Sequence, residues 1–350
     1  MRIALATDAW HPQINGVVRT LEAVGREITA LGHECLYVTP QGFRTIPCPG
    51  YSAIRLACWP FGGISRQLDV FRPQAVHIAT EGPVGLAARR WCRTRGMSFT
   101  TSYHTQFPEY LRLRVPIPTA VSYAVLRRFH APASRTLVPS ETQRQRLCRH
   151  GFEHVHVWSR GVDTRLFHPR DKGFLGLPRP ISIYVGRVAV EKNLPAFLDL
   201  DLPGTKLIVG DGPDLKPMQA RYPDAVFTGF MEGEKLARHL AAADVFVFPS
   251  RTDTFGLVLL EAMACGVPVA AFPVTGPIDV VRNGLTGVLD DDLREAVLAA
   301  MQLEGDACIE YARTHSWRCC AEDFLSCLQP TPGAAVEAAA AAQTASSSRV

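Results

Sequence analysis

No apolar run in this 350-residue sequence approaches the ~20 residues that a membrane-spanning helix needs, so any membrane contact would be peripheral. The opening stretch MRIALATDAWHP has a charged residue followed by one short apolar strand, which does not match a secretory leader. The 10 cysteines include no CxxC pair, and no Cys/His spacing suits zinc. Cys319 and Cys320 are adjacent, which suits neither an ordinary bridge nor a metal site. Reduced, mostly buried cysteines of a cytosolic protein are therefore expected. No GxGxxG is present, so a dinucleotide site lacks its fingerprint. The net charge of +4 is too mild to indicate nucleic acid, and no such partner is expected.

Acidic residues are scarce in one region. Between Arg89 and Arg149 only Glu109 and Glu141 oppose a long series of arginines. Within it, YLRLRVPIPTAVSYAVLRRFH (Tyr110–His130) mixes Arg with Leu, Val and Tyr. Such a stretch suits either a solvated surface helix or a peripheral contact with anionic membrane, with arginines on the headgroups.

What the chain has in abundance is alternation of strand and helix. Arg2–Thr7, Glu34–Thr39, Ala75–Ala79, Ser98–Tyr103 and Arg135–Pro139 are short apolar runs, and Val17–Leu31 between the first two has helical spacing. Ser159–Pro180 is rich in Gly, Pro and charge and reads as a linker. The rhythm then restarts with Ile181–Val185, Thr205–Val209, Ala225–Gly229, Asp244–Phe248, Val267–Phe272 and Thr286–Asp290. Continuous apolar strands separated by helices imply parallel sheets covered on both faces. The expectation is two α/β domains, at 1–165 and 166–315, each doubly wound, with a ligand site in a cleft between them. From Pro330 on, low complexity and a lack of apolar anchors predict a disordered tail over 330–350.

The chemistry gathers where strands end. SRTDTFGLVLLEAMACGVPV (Ser250–Val269) places Asp253 before an apolar helix and Glu261 inside it. Asp253 or Thr254 is the expected N-cap, which would leave the amides of Phe255, Gly256 and Leu257 to attract an anion such as phosphate. Eight residues along a helix is ~12 Å, so the two carboxylates cannot serve one atom. They can hold opposite ends of an elongated ligand with an anionic middle, as in a nucleoside diphosphate sugar. Glu261 sits among Leu257, Val258, Leu259, Leu260, Ala262 and Met263, so it is expected to be buried and to need a partner or ligand. Arg187 and Lys192 follow the strand at Ile181–Val185 and could neutralise a diphosphate. Asn15-Gly16 lies just before the first helix as an anion-friendly amide turn, and His104 ends the Ser98–Tyr103 strand.

Together these stretches resemble the retaining glycosyltransferases of family 4, from ATDAWHPQINGVVRT through TGVLDDDL. The strongest motif is a carboxylate, seven residues and a second carboxylate, here Asp253 to Glu261, with Asp in place of the more usual first Glu. SYHT and SRTDTFG look like the branch holding GDP-mannose-dependent α-mannosyltransferases and sulfoquinovosyl-diacylglycerol synthases. The resemblance implies the GT-B fold, two Rossmann-like domains facing a central cleft, and a helix at 316–328 that packs back on the first domain. It also implies roles. Gly16 would give its amide to the diphosphate, and His104 would contact the donor sugar near its anomeric centre. Arg187 and Lys192 would hold the phosphates. Asp253, with the amides of Phe255 and Gly256 and the neighbouring Leu257, would position the hexose, and Glu261 would bind the ribose. No metal and no cofactor are expected.

The implied reaction moves a hexose, with GDP-mannose favoured and a UDP-sugar as the other donor type, to a lipid or glycan acceptor with retained α configuration. Front-face displacement is the favoured mechanism. The implied location is cytoplasmic, at the inner face of the membrane if the basic stretch binds lipid. The alternatives are a nucleotide-sugar 2-epimerase and a non-catalytic nucleotide-sugar-binding partner of another transferase. The base, hexose, acceptor and oligomeric state are not legible at this stage.

Overall fold

The structure is a computed structural model that describes residues 1–330 apart from 13–14, 49–50, 105, 107, 109–117 and 252, and for 51–54 only the backbone. The tail expectation concerns residues that, from 331 on, lie outside this set. The chain divides into two units, Met1–Ser159 with Arg318 onward, and Arg160–Trp317. The division falls at Ser159/Arg160, earlier than the expected 165/166 boundary.

In the first unit the strands are β1 (Arg2–Ala6), β2 (Glu34–Val38), the hairpin β3 (Thr45–Cys48) and β4 (Tyr51–Ala57), β5 (Ala75–Ile78), β6 (Thr100–Ser102), β7 (Arg135–Val138) and β8 (Val155–Val157). Its helices are α1 (Gly16–Ala30), α2 (Phe61–Phe71), α3 (Pro83–Thr94), α4 (Thr119–His130) and α5 (Glu141–Arg149). One parallel sheet runs β2-β1-β5-β6-β7-β8, and β3-β4 stands apart as an antiparallel pair. Ile3, Ala4, Leu5 and Ala6 of β1 have no exposed surface, as expected for a strand covered on both faces.

The second unit repeats the plan. Its strands are β9 (Ile181–Val185), β10 (Thr205–Val209), β11 (Val226–Gly229), β12 (Val245–Phe248), β13 (Val269–Ala271) and β14 (Gly287–Leu289). The sheet order is β11-β10-β9-β12-β13-β14, all parallel. Its α-helices are α6 (Pro195–Leu198), α7 (Leu215–Arg221), α8 (Gly233–Ala241), α9 (Leu257–Ala264), α10 (Pro277–Val280), α11 (Leu293–Ala300) and α12 (Gly305–Arg313). The last helix, α13 (Trp317–Cys327), carries the chain into the first unit. There Phe324 packs edge-on against His77 of β5, ring centroids 4.9 Å apart, and the buried Trp158 indole donates to the Cys320 carbonyl at 3.0 Å.

In both parallel sheets the winding reverses beside the first strand, between β1 and β5 and between β9 and β12. Those reversals open a crevice at the carboxyl ends of the strands, the standard place for a ligand in this architecture.

The segment read as a linker is not one throughout. Val162 and Phe167 are buried, Val162 N donates to His315 O at 2.8 Å, and Lys172–Leu175 forms a 3₁₀ turn. Gly and Pro punctuate this stretch without loosening it. All 10 cysteines are free, but only Cys92, Cys265, Cys308, Cys320 and Cys327 are buried, so the expectation of mostly buried cysteines holds for half of them. No helix among the described residues is long and apolar enough to cross a membrane.

Candidate active site

In the second unit the expected residues converge on the sheet's switch point. After β9 the chain passes Gly186 and the exposed Arg187 into a 3₁₀ turn, Val190–Lys192. After β12 it runs from Pro249 to Gly256 and then into α9. Polar contacts knit these two loops together. Asn193 Nδ2 donates to Pro249 O at 3.0 Å, and Ser250 Oγ to Glu191 O at 3.4 Å. Lys192 Nζ donates to Asp253 Oδ2 at 2.5 Å, and these side chains are only 21 % and 18 % exposed.

That pair sets the electrostatics of the crevice. Burial by itself would lower the Lys192 pKa, but Asp253, with smaller help from Tyr184 and Glu191, outweighs it and holds the ammonium above its usual value of 10.5. Lys192 is therefore a fixed cation near neutral pH. Tyr184 lies beneath, its hydroxyl donating to Arg187 O at 2.8 Å, and its burial pushes the phenol pKa upward. The backbone is closely packed here: a Cβ on Gly210, which follows β10, would stand 1.8 Å from Gly186 O. Only glycine fits that position.

The structure corrects the expected cap. Helix α9 begins at Leu257, not Phe255; its N-cap is Gly256, in the left-handed region at φ 82°, with no side-chain cap bond. The Asp253 carboxylate is engaged by Lys192 instead, which leaves it in the loop facing a cation. Only the part of the Asp253–Glu261 interval from Leu257 on is helical, so the separation expected for a continuous helix does not apply. Leu257 and Val258 are half-buried, Phe255 is buried, and Leu259, Leu260 and Met263 have no exposed surface. Burial at ~2 kcal/mol for each such side chain anchors the helix. Glu261 is 9 % exposed, so the expectation of burial stands.

In the first unit Gly16 is the first residue of α1, and the Asn15 side chain caps the helix by accepting from Val17 N at 3.0 Å and Val18 N at 3.1 Å. The turn is thus a side-chain cap, and the Gly16 amide is not among the two donors that Asn15 takes. His104 is half-buried two residues beyond β6, its ring 6.2 Å from that of Trp158.

Two groups escaped the sequence reading. Asp8, 4 % exposed at the end of β1, accepts from Val84 N at 2.8 Å, Gly85 N at 3.2 Å and Thr80 Oγ1 at 2.9 Å. It caps α3 from across the fold, since Gly82 offers no side chain, and no sequence signal joins positions 76 residues apart. Burial raises its pKa, only partly offset by those donors. Asn193, with φ 54°, was passed over although Asn is the residue that tolerates the left-handed region. Among the described residues no group of three or more His, Cys, Asp or Glu is placed to hold a metal ion.

Two doubly wound parallel sheets, the second with a cation–carboxylate pair at its switch point, define the GT-B class of glycosyltransferase. Solved structures agree in fold: sucrose-phosphate synthase from Thermosynechococcus elongatus superposes with a TM-score of 0.71 at 22 % identity, covering 93 % of this chain and 97 % of that one. Anabaena HepE in complex with UDP and glucose gives 0.71 at 14 % identity, covering 93 % and 98 %. The chain belongs to glycosyltransferase family 4. The profile described as Glycosyltransferase Family 4 matches residues 14–166, and that described as Glycosyl transferases group 1 matches 179–303. It is 32 % identical to a GDP-mannose-dependent alpha-mannosyltransferase of Mycobacterium tuberculosis over 83 % of each chain. It is 31 % identical to sulfoquinovosyl transferase SQD2 of Arabidopsis thaliana, over 87 % of this chain and 68 % of that protein.

Proposed function

We propose that this hexosyltransferase takes mannose from GDP-mannose and passes it, with retained α configuration, to a hydroxyl of a lipid or glycan acceptor. The observation that carries the reading is the Lys192–Asp253 pair at the switch point of the second sheet, with Glu261 one turn into the helix that follows. A cation beside two carboxylates suits a diphosphate flanked by two sugars, the cation for the phosphates and the carboxylates for sugar hydroxyls. The choice of GDP-mannose rests on relatives of that printed name from three actinobacteria at 31–33 % identity.

In this reading the donor's phosphates compete with Asp253 for Lys192, and Arg187 adds a second cation. Freed from the lysine, Asp253 accepts hydrogen bonds from the hexose, beside the Phe255 and Gly256 amides and Leu257. Glu261 accepts from the ribose hydroxyls. Gly16 gives an amide to the diphosphate, and His104 lies against the hexose near its anomeric carbon. The acceptor oxygen bonds to that carbon on the face from which the diphosphate leaves. The departing phosphate oxygen takes the acceptor's proton, and Lys192 offsets the negative charge that develops on it.

The test is incubation with GDP-mannose or UDP-glucose, with and without a bacterial lipid extract, in the presence of a chelator. GDP release that requires the extract, together with a mannosylated product, supports the proposal. An altered sugar still attached to its nucleotide would show an epimerase, and donor binding without either product would show a non-catalytic partner.

A further inference from the structure

At the reversal in the first sheet stands a carboxylate that takes no part in holding the donor. The loops after β1 and β5 meet there. Asp8 N donates to Thr80 Oγ1 at 2.6 Å, and a Cβ on Gly82 would stand 2.5 Å from Asp8 Cγ, so the chain after β5 crosses directly over the end of β1. Glu81 lies between Thr80 and Gly82. Burial is the main cause of the raised Asp8 pKa, and the neighbouring Glu81 charge adds to it. Asp8 is shut in at 4 % exposure, whereas the Glu81 side chain is 28 % exposed at the mouth of the crevice.

Glu81 is held from behind. His130 Nε2 lies 3.2 Å from its Oε1, and the His130 side chain is 1 % exposed. An ionised carboxylate can only accept, so Nε2 carries the proton. In the neutral imidazole Nδ1 then accepts from Thr101 Oγ1 at 2.8 Å, and Thr101 accepts from Thr136 Oγ1 at 3.2 Å. Both threonines are buried. Residues of β7, β6 and α4 thus form one directed chain that ends on Glu81. Such a chain fixes where the carboxylate stands without cancelling its charge. Of the basic stretch Tyr110–His130, residues 110–117 lie outside the described set, and its last residue is the buried His130 of this chain.

The Glu81 Oε2 atom has no hydrogen-bond partner among the described residues, and no Lys or Arg among them pairs with the carboxylate. A half-buried charge with one neutral partner is short of donors. Neighbouring hydroxyls of a sugar ring supply two that one carboxylate can accept together. We propose that Glu81, positioned by His130, is a specificity-determining residue for the acceptor: it accepts from hydroxyls that flank the attacking one, so the receiving end of the acceptor is a sugar or other polyol ring and not a lone alcohol. The inference rests on the hexosyltransferase reading and narrows its acceptor, since a lipid would serve only where it carries such a ring.

The test is initial-rate transfer from GDP-mannose to octyl glucoside, which presents a ring of hydroxyls, and to dioctanoylglycerol, which presents one, with GDP affinity measured on every variant. Wild-type kcat/KM should be at least ~10-fold higher for octyl glucoside. Glu81→Gln still accepts from His130, so the fold should hold. It should raise the octyl glucoside KM ~10-fold, with kcat within ~3-fold of wild type and GDP affinity unchanged. His130→Leu keeps the carboxylate but removes its support. It should raise the same KM by ~3-fold or more with GDP affinity intact, a split that loosened packing alone would not give. A wild-type KM in Glu81→Gln, or better transfer to dioctanoylglycerol, would overturn the inference and leave the transferase reading standing. So would transfer to neither acceptor while a bacterial lipid extract is mannosylated. No mannosylated product from any of the three would defeat the transferase reading, and the inference with it.

Discussion

Both units reverse the winding of their sheet beside its first strand, yet a carboxylate near the reversal meets a different fate in each. In the first, Asp8 turns inward and collects the amides of Val84 and Gly85, so its charge is spent on holding α3. In the second, Asp253 faces the Lys192 ammonium in a crevice about four-fifths shielded from water. One carboxylate has backbone donors that no ligand can replace. The other has a side-chain cation, which in the proposed reaction the donor's phosphates would take from it. Architecture supplies the position, and the partner decides whether that position builds structure or is left to serve the proposed substrate site.

The sharpest way to break the comparison is Lys192→Ala. Turnover should fall ~100- to 1000-fold, and by more than donor affinity does, because the cation acts on charge that develops as the phosphate departs. Single-turnover kinetics beside GDP titration would separate the two. The same change leaves Asp253 without its cation, at a cost of ~1–3 kcal/mol, discounted from a fully buried pair, seen as a lower melting temperature. The pH dependence has a definite sign. With its folded pKa raised above 10.5, Lys192 contributes stability that is complete below the unfolded-state value and lost as pH climbs through the folded one. An alkaline fall in melting temperature above pH 10.5 should therefore shrink in Lys192→Ala.

A change in the first unit should do the opposite. Asp8→Ala strips two buried amides and the Thr80 hydroxyl of their acceptor, costing ~2–3 kcal/mol in chemical denaturation. GDP affinity of the folded fraction should not move. Asp8→Asn keeps one carbonyl acceptor and removes a desolvated charge, so it should be milder. Because burial raises the Asp8 pKa, its ionised form is penalised in the fold. The wild-type advantage over Asp8→Ala should therefore be largest below the unfolded-state pKa near 3.8 and shrink as pH rises through the folded value.

How much was legible follows from the range of the interactions involved. Ile181–Val185 and Thr205–Val209 have the expected bounds, because a central parallel strand is a continuous apolar run with turn residues at its ends. Ser98–Tyr103 shrinks to Thr100–Ser102, although Tyr103 N still donates to Leu137 O of β7 at 2.9 Å and Phe99 O accepts from Ser134 N at 2.9 Å. The β3–β4 hairpin was missed: Pro47 lies inside a strand, and proline ordinarily argues against one. At the site, Lys192, Asp253 and Glu261 were readable as types placed after strands. That Asp253 would choose a lysine 61 residues away over its own helix is a tertiary contact with no local trace.

The most direct measurement is calorimetric titration of GDP into wild type and Glu261→Ala. If the loops after β9 and β12 and the helix behind them grip the nucleotide diphosphate, the variant should stay folded and bind ~5- to 150-fold more weakly, the equivalent of ~1–3 kcal/mol for lost hydrogen bonds to a charged acceptor. Wild-type affinity in a folded Glu261→Ala protein would contradict it.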